Sequence, residues 1–259
     1  MFDQTLWPEE NQPEFLRKSH EAGMTDLQAN SVEGLTPVGR ETVQDRVYGQ
    51  LRQTLIIGGF AAGDPLRIVD LAERLQTSTM PVREALGRLV SEQALEAMPN
   101  RTVRVPLITR QRLDDLERAR VLIEGRLVEL AIANLTTEDY EILKEINRQC
   151  DAAFTEHGQD IGPVTSSFNQ RFHFHIYQAA GSNVLIPIVE SLWLQSGPVV
   201  RAAAQIHDEQ GGLAATDHHW AMIEAIERSD AEGATRALAN DIGRSFDLVR
   251  TRLMAEQAA

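Results

Sequence analysis

The stretch TSTMPVREALGRL (Thr77–Leu89) decides how the chain is divided. Thr77, Ser78 and Thr79 are small polar residues of the kind that begin a helix, and Pro81 suits an early helical position where no backbone donor is needed. Beyond them Val82, Ala85, Leu86 and Leu89 recur at helical spacing and form one apolar stripe, while Arg83 projects away from it. A helix with small hydroxyls at its start and one long planar cation is suited to entering a DNA major groove, where Arg83 can fork onto a guanine edge or a phosphate. Taken alone, Arg83 is also open to the plainer role of surface ion partner to a carboxylate such as Glu84.

Working upstream, Val43, Val47, Leu51 and Leu55 recur at i+4, with Ile56 and Ile57 widening the stripe before Gly58, Gly59 and Gly63 stop the helix. A turn at Asp64 and Pro65 leads through Arg67 into a second helix, from Ile68 to about Gln76. Downstream, Ala94 to Met98 and Val103 to Val105 are expected as two short strands joined by Pro99, Asn100, Arg101 and Thr102. Helix, helix, turn, helix and hairpin make a winged helix-turn-helix over residues 40–107. Arg101 at the wing tip and Arg104 two residues on are placed to reach a minor groove or its phosphates. With Arg67, Thr77, Ser78, Thr79 and Arg83 they form the predicted DNA-binding set.

The charge distribution agrees with this division. The 259-residue chain carries a net charge of −13, which argues against nucleic-acid binding if read as an average. By segment, however, residues 1–39 carry −5, residues 40–107 carry +1 and residues 108–259 carry −9, and all nine cations of the middle segment are Arg. The first 39 residues hold three prolines and no sustained period, and are expected as a flexible arm. The single cysteine, Cys150, rules out an intramolecular disulfide. With neither a signal pattern nor an apolar run long enough for a membrane span, the expected location is the cytoplasm.

From Thr109 onward every long segment has helical period, giving expected helices at about 110–134, 137–155, 167–180, 184–206, 216–229 and 231–256. Their starts are read at Thr136 with Asp139, at Ser166 or Ser167, at Thr216 or Asp217, and at Ser229 with Glu232, and Gly181 and Gly211–Gly212 mark breaks. The fold class is therefore mainly α: an N-terminal winged helix-turn-helix and, over residues 108–259, an antiparallel all-helical bundle.

Polar residues on the apolar stripes of this bundle are the informative ones. Asn169 and His173 are i,i+4 on a face continued by Ile176 and Ala180. His219 shares a stripe with Ile223 and Ile226, Asp241 lies between Leu238 and Ser245, and Arg120 sits among Leu116, Ile123 and Leu127 with Glu124 one turn on. Two imidazoles and two oxygen donors suit a divalent transition metal. Read from the residues alone, each His is more often a hydrogen-bonded core or surface group than a ligand, and Asp241 is open to pairing with an Arg such as Arg120 or Arg244.

The run "LRQTLIIGGFAAGDPLRIVDLAERL", "TMPVREALGRLVSEQALE" and "PNRTVRVP" resembles the DNA-binding domain of GntR-family bacterial transcription regulators, most specifically in its "PVREAL" core. It departs at Thr79, where the family usually has Arg, and at Thr102, where the wing usually turns on Gly. The segments "LERARVLIEGRLVELAIANL", "FNQRFHFHIYQAAGSNVL" and "HHWAMIEAIERSDAEGATRALANDI" resemble the FCD ligand-binding domain of the FadR-type subgroup. That resemblance implies a metal (zinc, nickel or manganese) held by Asn169, His173, His219 and Asp241, and a small organic acid held partly by Arg120. It also implies a homodimer bound to operator DNA. His173 and His219 match two family ligands, whereas Asn169 stands where the family usually has Asp and Asp241 where it usually has the third His. One anionic ligand is lost and one gained, so the formal ligand charge stays at −1. His218 is a candidate support for the metal ligands, and His175 is expected on another face.

The expected function is a ligand-responsive transcription regulator, a repressor released by a small carboxylate, and not an enzyme. An effector-independent DNA-binding protein with a purely dimerising bundle is the first alternative. A metal-dependent hydrolase is the second; it leaves the winged domain unexplained and offers only Glu124 as a general base.

Overall fold

Helix α1 (Val43–Ile56) starts where it does because Thr42 and Asp45 cap it reciprocally. Asp45 N donates to Thr42 Oγ1 at 3.1 Å, and Thr42 N donates to Asp45 Oδ2 at 3.1 Å. The computed structural model describes residues 42–99, 102–155, 162–210 and 216–258, all within one unit spanning Glu41–Ala259. The expected arm, the wing-tip Arg101 and the break at Gly211–Gly212 lie outside the described residues.

The order continues β1 (Pro65–Leu66), α2 (Ile68–Arg74), α3 (Thr79–Ser91), β2 (Glu96–Ala97) and β3 (Val103–Arg104). Val82, Ala85, Leu86 and Leu89 of α3 are all 1% exposed or less and pack on Val47, Leu51 and Leu55 of α1 and Leu71 of α2. Val43, expected on the inward stripe, is exposed instead, at the first residue of α1. Tyr48 of α1 donates to Glu92 at 2.7 Å just past α3, and the Arg88 guanidinium stacks 3.7 Å above its ring.

The wing is a three-stranded antiparallel sheet in the order β1-β3-β2, with Leu66 opposite Val103 and Ala97 opposite Val103 on the other side. The strand β1 replaces part of the expected turn at Asp64 and Pro65. Two residues are too few to show alternation, and Pro65 is tolerated because β1 is an edge.

Six helices follow: α4 (Arg110–Ala131), α5 (Thr137–Thr155), α6 (Gly162–Ala179), α7 (Leu185–Gln210), α8 (Asp217–Glu227) and α9 (Ala231–Ala258). The Thr136/Asp139 cap forms as expected, with Thr136 N donating to Asp139 Oδ2 at 2.8 Å. Two starts differ from expectation. Helix α6 begins at Gly162, one turn before Ser166, because Pro163 fits its first turn and Ser166 is an interior, buried position. At α9 the cap is Asp230, whose Oδ1 accepts from Gly233 N at 2.8 Å. Ser229 cannot serve, since at φ +55 it closes the end of α8.

The bundle core is built from Leu113, Leu127, Phe172, Ile176, Trp193, Ile223, Leu238 and Phe246, all 2% exposed or less. Helix α7 also touches the winged domain. Gly197 lies so close to the end of α1 that a Cβ there would stand 1.9 Å from the Leu55 carbonyl oxygen. Gly58 turns at φ +69, its carbonyl accepts from Arg201 Nη1 at 2.8 Å, and a Cβ on it would meet the Arg201 Cβ at 2.5 Å. Arg52 and Glu190 close the same interface with a 3.0 Å ion pair. Among the described residues no helix is long and apolar enough to cross a membrane.

Candidate functional site

Ser78 is the N-cap of α3 but makes no side-chain cap bond, so its hydroxyl and the first backbone N–H groups of the helix face outward. Such an end attracts anions. Ser78, Thr79 and Arg83 are exposed, Thr77 is half-buried, and Arg67 is the exposed N-cap of α2. Neither Arg83 nor Arg67 has an ion-pair partner among the described residues, so the alternative of an Arg83–Glu84 pair is not the arrangement seen. Arg104 is different: its Nε donates to Glu96, its cross-strand neighbour, and it is half-buried.

In the bundle, α6, α8 and α9 bring His173, His219 and Asp241 together, with one ligand atom from each lying within 4.8 Å of the others. His173 Nε2 stands 3.1 Å from Asp241 Oδ2, and His219 Nε2 stands 3.6 Å from Asp241 Oδ1. Phe172 stacks on the His219 ring at 4.1 Å and restricts its rotation.

The other ring atoms are also engaged. His219 Nδ1 donates to Asn147 Oδ1 at 2.9 Å, so a neutral ring directs its Nε2 lone pair inward, where that buried atom has no hydrogen-bond partner among the described residues. Tyr177 gives its hydroxyl proton to Glu124 and therefore accepts from His173 Nδ1 at 3.1 Å. Burial moves His173 away from the imidazolium form. A neutral His173 that donates to Tyr177 has only a lone pair left for the Asp241 carboxylate. Two imidazole lone pairs and a carboxylate thus converge with no proton to share, a donor set that fits a divalent cation.

Beside this cluster is a cavity of about 60 Å³. Asn169, Ser166, His219, Asp241, Arg244 and Ser245 form its polar wall, and Phe154, Val200, Ala203 and Leu248 face them. Asn169 is thereby brought to the site. Arg120 is not: it is 3% exposed, donates to Glu124 through Nε at 2.6 Å and Nη2 at 3.2 Å, and stacks 4.4 Å from the Trp193 ring. Burial opposes its charge, but Glu124, Tyr177 and Asp241 hold the guanidinium pKa above its ordinary value. His175 pairs with Asp139 at 2.9 Å on another face, as expected. Cys150 lines the cavity as a buried thiol pushed up to about 12 by desolvation.

Sequence reasoning missed Asn147, Tyr177 and Ser166, and named Arg244 only as a pairing partner for Asp241. The signal for Asn147 was available, since it interrupts the stripe Leu143, Ile146, Cys150 as a polar residue that is itself fully buried. Tyr177 is one turn beyond His173 on the same face. His219 takes its support from Asn147 on α5, a helix away from the expected neighbour His218.

Residues 43–105 match the family described as bacterial regulatory proteins, gntR family, and residues 115–244 match the FCD domain. The chain is 31% identical over 196 residues to the HTH-type transcriptional regulator McbR of Escherichia coli K12, covering 75% of this chain and 86% of that one. It is 26% identical over 218 residues to the HTH-type transcriptional repressor GlaR of the same organism, covering 80% and 90%. The solved structure of E. coli McbR/YncC superposes with a TM-score of 0.73 at 27% identity, over 83% of this chain and all of the other.

Proposed function

Because the chain belongs to the gntR family of bacterial regulators and carries an FCD domain, it is a DNA-binding transcription regulator, and we propose that it is a repressor released when a small carboxylate enters the bundle. The winged domain, residues 40–107, reads a palindromic operator as one half of a homodimer in the cytoplasm, and residues 108–259 sense the effector and dimerise. Arg83 and the hydroxyls at the start of α3 contact the DNA, with Arg67 beside them; Arg101 and Arg104 serve the wing.

The observation that carries the sensor half of this reading is the convergence of His173, His219 and Asp241, with one ligand atom from each lying within 4.8 Å of the others. Those three residues, with Asn169 at the cavity wall, hold a divalent transition metal: zinc, nickel or manganese. When bound, the ion supplies a Lewis-acidic centre for the effector's carboxylate. The chain's own residues orient the site: Asn147 fixes the His219 ring, and Glu124 with Tyr177 fixes His173. Helix α7 contributes Val200 and Ala203 to the cavity and Gly197 to the α1 contact, so one helix touches both sites. An effector alters regulation only if it prefers one arrangement of the winged domains, and the coupling is then reciprocal.

The test is metal content by elemental analysis of protein purified without chelator or affinity-tag metal, with operator binding measured in the same samples. His173→Ala is expected to lose metal and effector response together while still binding the operator. A metal-free wild type with an intact response removes the ion from the mechanism.

A further inference from the structure

One large side chain on the outer face of α3 is apolar. Met80, the second residue of the helix, is 62% exposed, whereas Val82, Ala85, Leu86 and Leu89 of the same helix are buried. Arg83 follows Met80 at i+3 and Glu84 at i+4, both exposed, so Met80 stands between them on that face. Gly87 continues the face at i+7, and a Cβ added to it would meet nothing within 4 Å. Glycine inside a helix is unfavourable relative to alanine, and no packing within the chain requires it here. The bare backbone instead lets α3 lie close to a surface outside the chain.

The chemistry of this face decides which part of a DNA duplex it meets. A thioether has no donor and is only a weak acceptor, so Met80 has nothing to offer a phosphate. The carboxylate of Glu84 beside it is repelled by phosphates, but it is an acceptor for the amino group of cytosine. An arginine, a carboxylate and an apolar side chain together therefore suit the base edges on the floor of the major groove better than its phosphate walls. On that floor the apolar feature is the C5-methyl group of thymine. The unbranched, flexible side chain of Met80 can adjust to reach it.

We propose that Met80 is a specificity-determining residue that reads the methyl group of a thymine in each operator half-site, one or two base pairs from the base pair contacted by Arg83. The spacing follows from the helix. Residues three apart on a helix have Cβ atoms about 5–6 Å from one another, and successive base pairs are about 3.4 Å apart along the duplex. Arg83 and Met80 thus read neighbouring positions by different means, one by hydrogen bonds and the other by apolar contact.

This inference rests on the operator-reading role of α3, and the experiment separates the two. The full-length protein selects its half-site from random duplexes, and the recovered site is remade with each thymine replaced in turn by uracil. That exchange removes one methyl group and leaves the hydrogen-bonding edges unchanged. Binding is read by fluorescence anisotropy for wild type, Met80→Ala and Arg83→Ala. The expected result is one thymine at which uracil weakens wild type about three- to fivefold, the worth of one buried methyl group, and at which Met80→Ala is insensitive. That thymine is expected within two base pairs of the position whose preference Arg83→Ala relaxes. The melting temperature and the salt dependence of binding are expected to be the same in Met80→Ala as in wild type, since the side chain is exposed and touches no phosphate. Uracil without effect at every position, or an effect of equal size in wild type and Met80→Ala, overturns the Met80 assignment and leaves the operator reading standing. A shallower salt dependence in Met80→Ala also overturns the assignment, because it places the effect at the phosphates. A selection that returns no specific site overturns both.

Discussion

Arg83 and Arg120 both stand on well-formed helices, and the structure treats them in opposite ways. Arg83 stands exposed with no ion-pair partner among the described residues, and its helix is anchored by Val82, Ala85, Leu86 and Leu89 on the other side. Arg120 is buried with both ends of its fork on Glu124. A cation without an intramolecular partner is available to a ligand at little cost, whereas one whose desolvation is already offset by a carboxylate belongs to the architecture. The same contrast separates Arg83 from Arg104, which is held across the strands by Glu96.

Removing each arginine sharpens this contrast. Arg120→Ala leaves Glu124 buried without its counter-charge, and the expected loss is about 3–5 kcal/mol of unfolding free energy, read from urea denaturation. A loss below about 1 kcal/mol would mean that Arg120 is not structural, and would reopen it as a ligand anchor. Arg83→Ala is expected to leave stability within about 0.5 kcal/mol and to weaken specific operator binding by about 1–3 kcal/mol, read by fluorescence anisotropy on operator and on random DNA. Equal loss on both sequences would make Arg83 a phosphate contact. In the same assay Arg104→Ala is expected to cost less than Arg83→Ala, because Glu96 already holds its charge.

The smallest expected effect is one that the two halves share. Asp45 caps α1 of the winged domain and Asp139 caps α5 of the bundle, each held below its ordinary value, first of all by a hydrogen bond from its threonine partner. A carboxyl whose pKa is depressed on folding contributes stability that is present above its unfolded value near 3.8 and is lost as pH falls through the folded value. Unfolding measured from pH 6 to pH 2.5 should therefore show a shallow decline in acid, reduced in a Thr42→Ala/Thr136→Ala double variant. An unchanged acid limb in that variant would exclude the caps as its source.

How much of this was legible in the sequence depended on whether burial or geometry carried the information. The stripe Val82, Ala85, Leu86, Leu89 is a period, and periods survive without coordinates. His173, His219 and Asp241 were visible as polar residues in apolar phase, because a buried polar group must have a reason. Whether the fork of Arg120 is open or closed depends on a rotamer, which spacing does not fix; Glu124 at i+4 was noted, but its consequence was not. Arg244 showed on paper only its neighbourhood to Asp241. The strand β1 stayed hidden because a two-residue strand has no pattern of its own, and exists through its pairing with β3.

The close approach of Gly197 to Leu55 has a mechanical consequence. Side chains usually cushion the contact between two helices, and small displacements vanish into rotamer changes. Here main chain bears directly on main chain, with Gly58 locked beside it by Arg201, so the joint has almost no slack. Helix α7 has 26 residues, about 39 Å of helix, and its interior Pro198 stands directly beside this joint. A shift of α7 at Gly197 bears directly on the end of α1, and a methyl group added there would collide with the Leu55 carbonyl.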